Sequence, residues 1–218
     1  MSSGYKPIDM SIWPRTPYYN YYAHGSKGMC AITADIDITS LYSMIQKQSK
    51  DLYITMIYLT TLVINKHEEF RVGYCKDNGE LMIWDSLEPI YRIFHEEDET
   101  FTRIFTPWNK DFNAFYKSVT DDMEKGKSLK GLNGPNLPDN AYESSYVPWI
   151  HYSSVNIKMS ESGKHLAPIV TVGTADEKDG KVSIPLTMQI SHAVADGFHI
   201  ARFFKEVKDE AEKLAKSL

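Results

Sequence analysis

Residues 181–190, KVSIPLTMQI, alternate without a break: Val182, Ile184, Leu186, Met188 and Ile190 share one face, and Ser183, Pro185, Thr187 and Gln189 share the other. A period of two is that of a β-strand with one apolar and one polar side. The chain after it changes period, and Ile200, Phe204, Val207, Ala211 and Leu214 recur at helical spacing with charged residues on the other faces. Between the two lies SHAVADG, in which Asp196-Gly197 stands where a helix starts and the carboxylate can cap free N–H groups. Pro185 suits an edge or a bulge.

Upstream, Thr39 is a candidate N-cap for a helix with Leu41, Met44 and Ile45 on its apolar face. YITMIYLTTLVI is apolar nearly all round, which predicts a buried helix. Asp77-Asn78-Gly79 separates two strand-like runs and predicts a hairpin. Phe112, Phe115, Tyr116, Val119 and Met123 predict a further helix, which the Gly, Pro and Asn residues of GKSLKGLNGPNLPDN end. From residue 149 the pattern turns to strands: WIHYSSVNIKM, then APIVTVGTA, then an Asp179-Gly180 turn into the run described first. Helices interleaved with hairpins predict an α+β two-layer sandwich, with helices packed on one face of a mixed β-sheet, and one domain over residues 1–218.

The net charge of −5 is spread along the chain, so nothing points to nucleic acid as a partner. The start lacks a basic segment followed by an apolar one, and the most apolar run is too short to cross a bilayer. These features predict a soluble cytoplasmic protein without membrane attachment. Cys30 and Cys75 have neither CxxC nor His–Cys spacing, which suits a reducing compartment rather than a disulfide or zinc framework.

At the strand-to-helix junction two readings stand side by side. Asp196 is a helix cap or a partner for a remote cation; His192 is a satisfied buried histidine or a general base, since an uncharged imidazole can take a proton from a hydroxyl at neutral pH. His199, one turn into the helix, reads as structural. His192, Asp196 and His199 have acceptable metal-ligand types but no HExxH-like spacing, so no metal is expected. No GxSxG elbow and no Gly-rich phosphate loop is present.

HAVADGFHIARFF resembles the HHxxxDG signature of the chloramphenicol acetyltransferases, CoA-dependent acyltransferases. IDMSIWPRTPYY, IDITSL, NKHEEFR, DETFT, YVPWIHYSSVNI and APIVTVGT resemble further blocks of that family in the expected order, over nearly the whole chain. The resemblance implies acetyl-CoA as co-substrate, chloramphenicol as hydroxyl acceptor, antibiotic resistance, and a homotrimer with active sites between subunits. It implies that His192 is the general base in a direct attack on the thioester, without an acyl-enzyme. It implies an ion pair between Asp196 and Arg15 of the WPR block that holds the His192 loop. Ser145, four residues before Trp149, matches a serine that hydrogen-bonds the oxyanion, and Thr171 matches a threonine that orders a water.

The sequence departs from the family in places. Ser191 replaces the first histidine of the motif. Tyr22, Phe101, Val155 and Ile157 match positions that line the acceptor cavity, but Val155 stands where phenylalanine is common. AHGSKGMC, residues 23–30, is more polar than its counterpart, and Arg103 follows Phe101 closely. These changes leave two alternatives open: acetyl transfer to a different hydroxyl acceptor, and a non-catalytic ligand-binding relative.

Overall fold

The computed structural model describes residues 4–76, 78–158 and 165–217. The alternating run is strand β10 (Lys181–Ser191), which continues one residue past the pattern. Its apolar set, Ile184, Leu186, Met188 and Ile190, is fully buried. β10 lies between β2 (Met29–Asp37) and β8 (Ile169–Val172), antiparallel to both. The main sheet runs β2-β10-β8-β7-β5-β6, with β7 at Ala141–Tyr146, β5 at Glu88–His95 and β6 at Thr100–Phe105. β7 pairs in parallel with β5 and β8, so the sheet is mixed, as expected. The Asp179-Gly180 turn has positive φ at both residues and joins β9 (Asp176–Lys178) to β10, as a type I′ hairpin requires.

The helices lie on one face of this sheet: α2 (Thr39–Gln48), α3 (Leu52–Ile64), α4 (Phe112–Gly126) and α5 (Gly197–Ser217). α3 is the buried helix the composition required, with all but two of its residues in the core. Its threonines are satisfied where they are buried: Thr60 and Thr61 donate to the carbonyls of Met56 and Ile57, and both meet the Tyr142 hydroxyl. Asp51 caps α3 through Ile54 N–H, and Asp111 caps α4 through Ala114 N–H. Every residue of the expected α5 stripe is buried.

A smaller sheet, β1 (Tyr5–Pro7), β4 (Leu81–Trp84) and β3 (Val72–Tyr74), contains the hairpin. Gly79 supplies the positive φ of its turn, while Asp77 lies outside the described residues.

Two local expectations are corrected and a third is met. Thr39 is not the N-cap but the first helical residue; Asp37 accepts from both its N–H and its hydroxyl, because the strand end aims that carboxylate at the helix. Residues 149–158 form no strand, and Met159 lies outside the described residues. β7 already has neighbours on both sides, and this segment crosses the helix-free face of the sheet. There Tyr152 donates to the Thr171 carbonyl, and the backbone of Ile157 bonds the Gln189 amide through both its N–H and its C=O. Pro185 is on a central strand but at a bulge, as expected: Gly173, Thr174 and Ala175 face only Ile184 and Pro185. β8 has ended at its level and β9 pairs no further than Ser183, so only β2 faces it in a ladder. Gly173 packs so close to Pro185 and Tyr152 that a Cβ would overlap both.

Candidate active site

β10 ends at Ser191 and the chain turns at once, with Val194 and Ala195 N–H groups donating to the Ser191 carbonyl. Ala193, Val194 and Ala195 are fully buried, so the small side chains of the motif let the turn sink into the core. That leaves His192 at the rim. Its N–H donates to Gly28 O at 3.0 Å, and its ring lies flat on Tyr22, with centroids 4.0 Å apart and planes 2° from parallel. The ring can therefore not be tilted without losing this stack. Nδ1 of His192 is buried and has no hydrogen-bond partner among the described residues.

Arg15, just before the short helix α1 (Thr16–Tyr19), holds the same turn from outside. Its guanidinium donates to His192 O at 3.3 Å, to Ala193 O at 3.5 Å and to Asp196 Oδ2 at 3.2 Å. One planar cation thus satisfies two carbonyls and a carboxylate, a geometry lysine cannot reproduce. Asp196 also accepts from Phe198 N–H, which makes it a cap of α5 as well as an ion-pair partner. The two readings of Asp196 are both correct. His199 adds a further contact, with Nδ1 2.9 Å from Asp196 Oδ1 and 3.2 Å from Asp196 N. Burial pushes the Asp196 carboxyl up, but the hydrogen bond from Arg15, the contact with His199 and the Phe198 N–H outweigh it and hold it below the usual carboxylate range.

Ser145 and Thr171 are direct cross-strand partners on β7 and β8, and Thr187 and Thr33 continue the row on β10 and β2. Partners in a row share a face; this one is the face without helices. Ser145 opens on a cavity of about 560 Å³ lined by Tyr53, Arg92, Phe94, Phe101 and Trp149. Phe101 is 40% exposed on β6 and lies under the Arg92 guanidinium. Val155 is half-buried and Ile157 exposed, both on the crossing segment.

The expected residues therefore form two groups. His192, Tyr22, Arg15 and Asp196 meet at one end of β10; Ser145, Thr171 and Phe101 stand on the sheet face. In one chain the groups do not touch. Ser145 lies two strands from Thr187 in register, and Ser191 lies four residues beyond Thr187. At ~4.8 Å per strand and ~3.3 Å per residue, the His192 turn is about 16 Å from Ser145.

Sequence reading missed Tyr152 and the charge network of Arg92, Glu143 and Arg103, in which Glu143 bonds both arginines. Glu143 stands two residues before Ser145 in an otherwise uncharged strand, and that position was the available signal. Among the described residues no group of three or more His, Cys, Asp or Glu side chains is placed to hold a metal, and no helix is long and apolar enough to cross a membrane.

Comparison with known proteins bears on this geometry. Residues 3–208 match the family model described as chloramphenicol acetyltransferase. A chloramphenicol acetyltransferase of Clostridium butyricum is 38% identical over 206 residues, spanning 94% of this chain and 93% of that one. One from Staphylococcus aureus is 36% identical over 203 residues, spanning 93% and 96%. Among solved structures, a chloramphenicol acetyltransferase superposes with a TM-score of 0.84 at 20% identity, over 94% of this chain and 99% of its own. A truncated catalytic core of the 2-oxoacid dehydrogenase multienzyme complex from Thermoplasma acidophilum gives 0.68 at 13%, over 95% and 98%. The structural likenesses speak for the fold, and the sequence matches for the family.

Proposed function

The chain belongs to the chloramphenicol acetyltransferase family, and on that footing we propose that it transfers the acetyl group of acetyl-CoA to a hydroxyl of chloramphenicol, with His192 as general base. The observation that carries this reading is the clamped His192 turn. A general base works only if its ring is well positioned, and here the Tyr22 stack holds the ring while the Gly28 carbonyl and Arg15 hold its backbone. Ser191, in place of the first motif histidine, is buried beneath the turn with Oγ near Ala193 N and takes no proton in this scheme.

The steps follow from chemistry. His192 Nε2 removes the proton of the acceptor hydroxyl as its oxygen bonds to the thioester carbonyl carbon. The carbonyl becomes a tetrahedral oxyanion, to which the Ser145 hydroxyl donates. A preorganised donor there lowers the barrier by ~2.7–4 kcal/mol. Collapse breaks the carbon–sulfur bond, and the departing thiolate takes the proton from the His192 imidazolium. Thr171, beside Ser145 in the sheet, orders a water near the same oxygen. Tyr22, Phe101, Val155 and Ile157 contribute to the acceptor walls.

This mechanism needs His192 and Ser145 together, and about 16 Å separates them in one chain by strand spacing. We therefore assign the site to two copies in a cyclic trimer, His192 of one copy meeting Ser145 of the next. Exposed aromatic residues at the Ser145 cavity, Phe94, Phe101 and Trp149, support burial of that face against a neighbour. The one-domain, cytoplasmic reading is kept with it.

Mixing tests it. His192→Ala and Ser145→Ala chains, each impaired alone, are co-refolded and CoA thiol release is measured with chloramphenicol. In a trimer with shared sites, roughly a quarter of the sites regain both groups and activity returns. Absence of recovery in mixed trimers places both residues in one chain and ends the two-copy reading; no thiol release by wild type ends the acetyl-transfer reading.

A further inference from the structure

Arg92 of β5 and Arg103 of β6 are direct cross-strand partners. Like charges so placed repel. Glu143 of β7 sits between them, Oε2 2.9 Å from Arg92 and Oε1 bonded to Arg103. The three side chains are only 24%, 24% and 17% exposed, so solvent does not erase their imbalance. One carboxylate against two guanidiniums leaves one positive charge.

That excess faces the Ser145 cavity through Arg92. Among the described residues Arg92 uses two of its five donors, on Ser144 O at 3.0 Å and on Glu143, while its guanidinium lies 5.5 Å from the centre of the Phe101 ring. The other charges at the cavity are committed elsewhere: Asp51 caps α3, and Lys127 pairs with Glu124. The cavity thus offers aromatic walls, a serine hydroxyl and an arginine with free donors.

We infer that this site accepts a second class of acceptor, alcohols that carry a carboxylate on an aromatic body, with the carboxylate on Arg92 and the hydroxyl toward Ser145. The inference rests on the reading of the Ser145 cavity as the acceptor side. Chloramphenicol is uncharged and leaves the excess unmatched.

CoA release is measured with 4-(hydroxymethyl)benzoate and its methyl ester, in wild type, Arg92→Gln and Glu143→Gln. Wild type prefers the carboxylate by about tenfold or more in kcat/KM, the effect of one charge-assisted bond. Arg92→Gln abolishes the preference, Arg92→Lys keeps part of it, and Glu143→Gln increases it by freeing more charge. Preference for the ester, or a ratio that Arg92→Gln leaves unchanged, overturns the inference. So does dissociation of Arg92→Gln into single chains in sedimentation, which makes Arg92 an interface residue. Turnover of chloramphenicol with neither benzyl alcohol accepted defeats this inference alone, and no release with any acceptor defeats acetyl transfer as well.

Discussion

The His192 turn and the wall around Ser145 are built in opposite ways. The turn is held mainly through the backbone: Arg15 binds two carbonyls, Gly28 O takes the His192 N–H, and three small buried residues draw it inward. The wall is made by side chains from β5, β6 and β7 together with Tyr53 of α3 and Trp149 after β7, and its character is set by which residues project. A backbone-held turn keeps its shape while the wall opposite it changes. The wall here carries Arg92, Glu143 and Arg103, while Arg15 and Asp196 pair at the turn. On the proposed assignment, the chemistry and the acceptor preference would be separable.

Substitutions sharpen this contrast in order of size. His192→Ala lowers kcat/KM by about 10²–10⁴, read by thiol release beside a thermal melt that shows the fold retained; a rate near wild type breaks the general-base assignment. Ser145→Ala lowers kcat by about 10²–10³ with KM little changed, as expected of a donor used only in the transition state. A loss confined to KM turns Ser145 into a binding residue of the wall.

The smallest effect tests the clamp. Arg15→Gln lowers stability by about 1–2 kcal/mol in urea unfolding, toward the low end because Asp196 is partly exposed. The Asp196 carboxyl is held below its ordinary value in the folded protein, so its contribution is complete above the unfolded carboxylate pKa and is lost as pH falls through the lowered folded value. In Arg15→Gln the folded value rises toward the unfolded one, so this acid-dependent loss is smaller and is complete at a higher pH. Identical acid unfolding of the two proteins, followed by circular dichroism, removes Arg15 as the cause.

Much of the fold was legible because short-range patterns carried it. β10 followed from alternation, α3 from a run apolar nearly all round, and the β9–β10 hairpin from Asp179-Gly180. The errors came where a remote neighbour decided the outcome. Residues 149–158 alternate well enough for a strand, but β7 has no free side. Thr39 is a good cap by type, but β2 delivers Asp37 to the same helix end. Arg103 was visible as a departure; its partner Arg92 and the bridging Glu143 were not, since they belong to three different strands.

The order of residues alone was enough to settle the strand-to-helix junction and the family to which the chain belongs, and it offered Asp196 as a cap, because each depends on spacing within a short stretch or on blocks in sequence. Register and strand order required the folded sheet. They put Ser145 beside Thr171, kept Ser145 about 16 Å and Thr171 about 14 Å from the His192 turn, and brought two arginines onto one glutamate. Cross-strand neighbours are set by which strands pair and in what register, a long-range choice on which local periodicity has no hold.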